Sequence, residues 1–243
     1  VQPAQVLVLG AGVAGLQAIA TSKRLGAVVK AYDVRPAAAE EIRSMGAEAI
    51  TLELEDLSAD GGYAKEMTTD RAERQRELLA PHVAAADALI TTAAVPGRPA
   101  PLLVTREMVE AMSPGSVVVD LAAESGGNVE RSEPGRVIRV GDAQVWGGEN
   151  VPSQMPDPAS RLYAANLLAL VTLMTTTDEP EAATGDAEPS AEPSAGPSVE
   201  PAGGSALRFA PDMEDEVVAT SCVVKDGVVV HEMTRAVLQG GSL

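Results

Sequence analysis

Apolar residues come in short runs separated by charged stretches, and the two alternate at a regular spacing through the first two-thirds of the chain. Residues 6–9 (Val-Leu-Val-Leu) form an uninterrupted apolar run that reads as a buried parallel strand. Helical spacing resumes at Val13, with Leu16, Ile19 and Ala20 recurring on one face, and Gly26 supplies a stop. A second apolar run, residues 28–32, ends at Asp33. Pro36 then opens a helix to about Met45, Gly46 stops it, and residues 49–52 form a third strand. Further strands are expected at 88–92, 116–121, 137–140 and 144–146. Helices are expected at about 65–79 and at 106–112, the second capped by Thr105. Strand and helix alternating at this spacing predict an α/β fold, a Rossmann-type doubly wound parallel sheet with right-handed crossovers.

The last third reads differently. Pro158 opens a helix over 159–175 whose Leu162, Leu167, Leu168, Leu170, Val171 and Leu173 cover a broad face, so it is expected to lie sandwiched between domains or subunits. Residues 178–201 carry seven acids, five prolines and no basic residue, with Val199 as the one large aliphatic. Such a stretch cannot bury enough apolar surface to offset its ordering, and it reads as a disordered linker. Beyond it, strands at 216–224 and 228–231 flank Lys225-Asp226-Gly227, a hairpin signal. Two strands alone are marginal in water, and the pattern leaves no other strand for them to join. The hairpin is therefore expected to belong to an incomplete second domain whose remainder lies upstream of Val1. The organisation expected is a dinucleotide-binding Rossmann domain over 1–155 and an inter-domain helix over 156–177. An acidic linker over 178–205 and the C-terminal hairpin of the second domain over 206–243 complete it.

Composition narrows the classes. A net charge of −17 over 243 residues repels phosphate backbones and argues against nucleic acid. The single cysteine, Cys222, cannot close an internal disulfide, which suits a reducing cytosol. One Trp and one Phe leave the core to Val, Leu, Ile and Ala. The longest greasy stretch, 167–174, falls far short of the ~20 residues of a membrane helix, so no bilayer crossing is expected. The chain opens on Val1 within about five residues of the first strand, and it reads as a piece of a longer polypeptide.

The candidate chemistry sits where the first strand ends. Gly10 allows a sharp turn, Gly12 leaves room for a pyrophosphate, and Gly15 lets the helix approach the strand. The opening N–H groups of that helix suit a phosphate. Asp33 follows Gly15 by 18 residues, where a ribose-binding carboxylate belongs. Gly61-Gly62-Tyr63 reads either as an ordinary surface loop or as a lid over a ligand. Residues 93–101, with three prolines, suit the wall of a cleft, and residues 122–128 form a glycine-bearing loop at another strand end. His82 and His231 lie in no cleft-forming motif, so no catalytic residue and no metal site is expected.

Several motifs together carry a family resemblance. Gly10-Ala-Gly-Val-Ala-Gly-Leu-Gln-Ala-Ile-Ala20, Tyr32-Asp-Val-Arg-Pro36, Gly61-Gly-Tyr-Ala-Lys-Glu66, Pro96-Gly-Arg-Pro-Ala-Pro101 and Asp120-Leu-Ala-Ala-Glu124 with Gly126-Gly-Asn128 resemble the NAD(H)-binding alpha subunits of proton-translocating NAD(P) transhydrogenases. The resemblance implies NAD(H) contacts at Val13, Ala14 and Gly15 on the phosphate turn and at Asp33, Val34 and Arg35 beside the adenosine ribose. It implies others at Gly62 and Tyr63 in a mobile loop, at Gln75, and at Ala94, where the family has a larger aliphatic. It also implies hydride transfer to NADP(H) on a partner domain, membrane-embedded and NADP(H)-binding partner subunits, a homodimer, and a place at the inner face of the plasma membrane. Asp33 favours NAD(H), because a carboxylate accepts from a free 2′-hydroxyl and repels a 2′-phosphate.

Alanine dehydrogenases are similar in fold and fingerprint. They carry an Asp-Gln-Gly-Gly pattern where this chain has Glu124-Ser125-Gly126-Gly127, which favours the transhydrogenase reading. The remaining alternatives are an alanine dehydrogenase-like NAD oxidoreductase and a truncated, non-catalytic nucleotide-binding module. The family's Arg-Gln-Asp nicotinamide loop lies in an upstream segment not present here, so the chain by itself is expected to bind the adenosine half and to transfer hydride poorly or not at all.

Overall fold

The computed structural model describes residues 2–52, 69–95, 97–177 and 207–239, and the chain divides into two compact units, Val1–Gln154 and Met155–Leu243. In the first unit the order is β1 (Gln5–Leu9), α1 (Val13–Arg24), β2 (Val28–Tyr32), α2 (Ala38–Ser44), β3 (Glu48–Ala49) and α3 (Thr69–Ala84). Then come β4 (Ala88–Thr91), α4 (Arg106–Glu110), β5 (Val117–Asp120), β6 (Val137–Val140), β7 (Ala143–Gly147) and α5 (Val151–Gln154). The described strands form one sheet in the order β3-β2-β1-β4-β5-β7-β6. The order reverses beside β1, between β1 and β4, which places a crevice at the carboxyl ends of those two strands.

Alternation within β1 shows why both faces of the sheet are covered. Leu7 and Leu9 enter one core with Leu79, Val83, Leu89 and Val109, while Val6 and Val8 enter another with Ile19, Val29 and Ile42. Helices α3 and α4 thus cover one face and α1 and α2 the other. Helix α1 ends as expected: Gly26 takes φ +89°, donates to the Lys23 carbonyl, and Ala27 donates to that of Ser22.

Three details differ from the sequence reading. The strand expected at 49–52 is only Glu48–Ala49, although Ile50 still reaches the core. Helix α3 runs past Pro81, where a stop at Leu79 was expected. Leu79 and Val83 lie one turn apart and are both fully buried, and that burial outweighs the hydrogen bond that proline removes. Strand β6 is antiparallel to β7, because only Gly141 and Asp142 join them and a parallel pair needs a crossover of a dozen residues.

The second unit holds α6 (Pro156–Leu173), β8 (Thr175–Thr177), β9 (Leu207–Phe209), α7 (Glu216–Ser221), β10 (Val224–Lys225), β11 (Val228–Val229) and α8 (Glu232–Leu238). The stretch expected as a strand over 216–224 begins as a helix. The Asp215 carboxylate accepts from the N–H groups of Val217 (2.9 Å) and Val218 (3.0 Å), and this cap overrides the β-branched composition. The hairpin survives as two short strands around Asp226 and Gly227, both at positive φ (51° and 78°), the pattern of a tight two-residue turn. His231 is not a strand end; its Nδ1 accepts from the Thr234 N–H and caps α8.

The expectation that no other strand remained is also overturned. The helix expected to 175 stops at Leu173, and Thr175–Thr177 pairs antiparallel with Leu207–Phe209. The acidic stretch over 178–205 lies outside the described residues, but the strands on either side of it belong to one unit and are hydrogen-bonded to each other. Helix α6 has no buried residue within this chain: Leu162, Tyr163 and Leu168 are exposed. Among the described residues no helix is long and apolar enough to cross a membrane.

Candidate functional site

The site is built on the turn between β1 and α1. Gly10 takes φ +100°, donates to the Tyr32 carbonyl at 2.8 Å and accepts from Thr92 Oγ1 at 3.2 Å. A side chain there would meet Thr92 Oγ1 at 2.7 Å, and one on Gly15 would run into the Gly10 carbonyl oxygen. These two glycines are therefore demanded by the packing of helix on strand. Gly12 is different. It has an ordinary φ of −74°, and nothing lies within 4 Å of where a Cβ would be.

That opening lies at the head of α1. Leu16 is the first residue to donate back along the helix, to the Gly12 carbonyl at 2.9 Å, so the N–H groups of Val13, Ala14 and Gly15 have no intrahelical acceptor. No side chain caps this end, and no acid occupies its first turn. An anion is the natural complement of such a terminus. Val13 and Ala14 are exposed beside it.

Asp33 sits just past β2 with its side chain 10% exposed, and it ties the turn together. Its Oδ2 accepts from the Ala11 N–H at 2.7 Å, and its Oδ1 accepts from the Arg35 N–H at 2.9 Å. The Arg35 guanidinium closes over it through Nε to Oδ1 (3.0 Å) and Nη2 to Oδ2 (3.2 Å), and Nη2 also reaches the Ala11 carbonyl. This bond, more than any other influence, raises the Arg35 pKa above its ordinary value. A carboxylate offers about four lone-pair directions, and here all are taken. A ribose diol reaching Asp33 must displace the Arg35 side chain, which is 41% exposed and free to swing outward. Val34 is exposed next to the pair.

Gln75 is another position where the resemblance implies a contact. It is buried within α3, and its Nε2 donates to the Tyr32 hydroxyl at 3.1 Å, so it braces β2 from beneath. Burial raises the Tyr32 phenol above its ordinary pKa, which keeps that hydroxyl neutral. Ala94 lies exposed in the loop leaving β4, on the rim of an open recess of about 590 Å³ with Val95, Gly97, Arg98, Pro99 and Ser125. Gly62 and Tyr63 lie outside the described residues.

His82 is placed at the opposite end of β1 from the turn, beside a small cavity with Gln5 and Lys30. Burial, with the Lys30 ammonium, pushes its imidazole below the ordinary value, against a smaller opposing pull from Glu48. The unfolded chain therefore takes up a proton at His82 at a higher pH than the folded chain does. Stability from this group is full above the ordinary histidine pKa and falls as pH drops through it. The urea midpoint is expected to fall between pH 7.5 and pH 5.5, and His82→Gln is expected to flatten some of that slope; equal slopes in the two proteins would show that His82 contributes nothing.

Sequence reasoning did not single out Thr92, which holds Gly10 in place, and it met the buried pair Asp120 and Asn128 only as part of a motif, without a role for either. The signal for Asp120 was present as a carboxylate ending an otherwise apolar strand. Residues 1–191 match the family model for the alanine dehydrogenase/PNT C-terminal domain. The chain belongs to that family. The likeness to transhydrogenase alpha subunits read from the motifs is borne out by an NAD(P) transhydrogenase subunit alpha protein of Rhodospirillum rubrum, 43% identical over 95% of this chain and 54% of that protein. The NAD(P) transhydrogenase subunit alpha of Haemophilus influenzae is 47% identical over 72% of this chain and 34% of its own length. A solved transhydrogenase from Sinorhizobium meliloti is 50% identical over 70% of this chain and 44% of the other, with a TM-score of 0.58. An L-alanine dehydrogenase, 24% identical with a TM-score of 0.57 over 99% of this chain and 54% of its own, shares the fold. The chain spans about half the length of the Rhodospirillum relative.

Proposed function

We propose that this chain is the NAD(H)-binding component of a proton-translocating NAD(P) transhydrogenase, working at the cytoplasmic face with membrane-embedded and NADP(H)-binding partner subunits, and as a homodimer. The observation that carries the reading is the uncapped head of α1, open above Gly12 and flanked by the Asp33 carboxylate. The pyrophosphate of NAD(H) fits the free N–H groups of Val13, Ala14 and Gly15, and the adenosine ribose fits Asp33 once Arg35 has moved aside. Bound NADH would supply a hydride directly to NADP+ held by the partner, a step that needs no general acid or base from this chain. What the chain contributes is position and field: the head of α1 fixes the phosphates, and Asp33 selects the dinucleotide without a 2′-phosphate. In this reading residues 1–155 hold the dinucleotide, 156–177 and 178–205 connect, and 206–243 belong to a second domain.

Calorimetry on the purified chain is expected to show NADH binding in preference to NADPH. Transhydrogenation by the chain alone is expected to be very slow or absent, as is reduction of pyruvate with ammonia and NADH. A preference for NADPH, or no heat with NADH, would overturn the reading.

A further inference from the structure

Two loops leave the carboxyl edge of the sheet on the side away from Asp33: residues 93–101 after β4 and residues 121–129 after β5. One buried side chain joins them. Asn128 Nδ2 donates to the Ala93 carbonyl and to the Pro101 carbonyl, both at 2.8 Å, and so grips the 93–101 loop at its two ends. Its main chain is engaged as well. The Asn128 N–H donates to Asp120 Oδ2 at 2.9 Å, and its carbonyl accepts from the N–H groups of Leu103 and Val104. Asp120, also fully buried, anchors this arrangement to the sheet by accepting from Thr91 Oγ1 (2.9 Å) and from the N–H groups of Ala122 and Val129.

The orientation of the amide is forced, because turning it over would point its oxygen at two carbonyl oxygens. The Oδ1 of Asn128 is buried without a hydrogen-bond partner among the described residues. The fold tolerates that unsatisfied acceptor while both loop ends are held. A further bond, from the Ala100 N–H to the Ser125 carbonyl at 2.6 Å, ties the far end of the first loop to the middle of the second. The outcome is a fixed rim around the recess formed by Ala94, Val95, Gly97, Arg98, Pro99 and Ser125.

The place of this recess decides what it takes. The head of α1 lies over the crevice between β1 and β4, and Asp33 draws the adenosine half of a dinucleotide toward β2. The other half must then extend over β4 and β5, where the recess is. We propose that Asn128 is the positioning residue that clasps the 93–101 loop into a seat for the nicotinamide half of the dinucleotide. This rests on the NAD(H) reading above and deepens it, and it departs from the expectation that the chain meets only the adenosine half: one half is held through Asp33, and the loop set by Asn128 supplies a wall for the other.

The test compares NADH with ADP, which carries only the adenosine and phosphates, on the full chain and on Asn128→Ala and Asn128→Ser. Asn128→Ala is expected to weaken NADH binding about 10- to 30-fold, the loss of two ordinary hydrogen bonds, and to leave ADP binding unchanged. Asn128→Ser, whose hydroxyl can donate to one of the two carbonyls, is expected to fall between. Equal weakening of both ligands would mean a merely structural role and overturns the proposal, as does equal affinity of the unaltered chain for NADH and ADP. Amide hydrogen exchange without ligand separates this from the NAD(H) reading. Faster exchange at Arg98 and Ala100, with α1 unaffected, supports the clasp even if no nucleotide binds, and unchanged exchange there overturns it.

Discussion

Replacing Gly12 with aspartate is expected to raise the thermal midpoint while abolishing useful NADH affinity. Gly12 already has the extended backbone of a helix N-cap (φ −74°, ψ −169°) with open space where a side chain would go. A carboxylate there would accept from the idle N–H groups of α1 and meet the positive end of the helix, worth about 1 kcal/mol, or roughly 2–4 °C in midpoint. The same carboxylate would occupy the phosphate seat with like charge. At about 4 Å and an effective dielectric of about 20, that repulsion is on the order of 4 kcal/mol, roughly a thousandfold in Kd. Differential scanning calorimetry and titration with NADH read the two effects separately. Stability and binding moving in opposite directions is the signature of a helix end left bare for a ligand; unchanged NADH affinity would place the dinucleotide elsewhere.

The second large effect is expected at Asp33→Asn. The amide oxygen can keep the bond from the Ala11 N–H, but the NH2 group cannot accept from the Arg35 main-chain N–H or Nε, so both of those bonds are lost together with the charge that pairs with Arg35. NADH is expected to bind roughly 10- to 100-fold more weakly, through loss of a charged acceptor for the ribose hydroxyls. NADPH is expected to gain, because the repulsion of its 2′-phosphate disappears and the freed Arg35 guanidinium can pair with it. The ratio of the two affinities, measured side by side, is the decisive quantity. A variant that favours NADH by the same factor as the unaltered chain would show that Asp33 serves only the loop.

What could be read in advance followed the range of the forces involved. The β1–turn–α1–β2 segment was legible because its determinants are local: a run of Val and Leu, glycines at set offsets, and an acid at the end of the next strand. The packing demands on Gly10 and Gly15 and the freedom at Gly12 agree with that reading. The second unit was misread in its strands because β-branched residues at 217, 218, 223 and 224 outweighed a single capping aspartate in the pattern, whereas in the chain the cap decides. The pairing of Thr175–Thr177 with Leu207–Phe209 spans a long gap, and three threonines carry no strand periodicity of their own. Asn128 stood in the Gly126-Gly-Asn128 motif, but its role escaped for a related reason: its partners lie 35 and 27 residues away. The antiparallel edge was foreseeable from the length of its connection, which strand-by-strand reading passes over.

Because β8 and β9 are hydrogen-bonded neighbours, Thr177 and Leu207 lie side by side. The free energy of closing a chain between such neighbours grows only with the logarithm of its length, about 0.6 kcal/mol for each doubling. The sequence between Thr177 and Leu207 is therefore a permissive splice site, where evolution can trim or extend residues and where an engineer can graft an epitope or a fluorescent reporter.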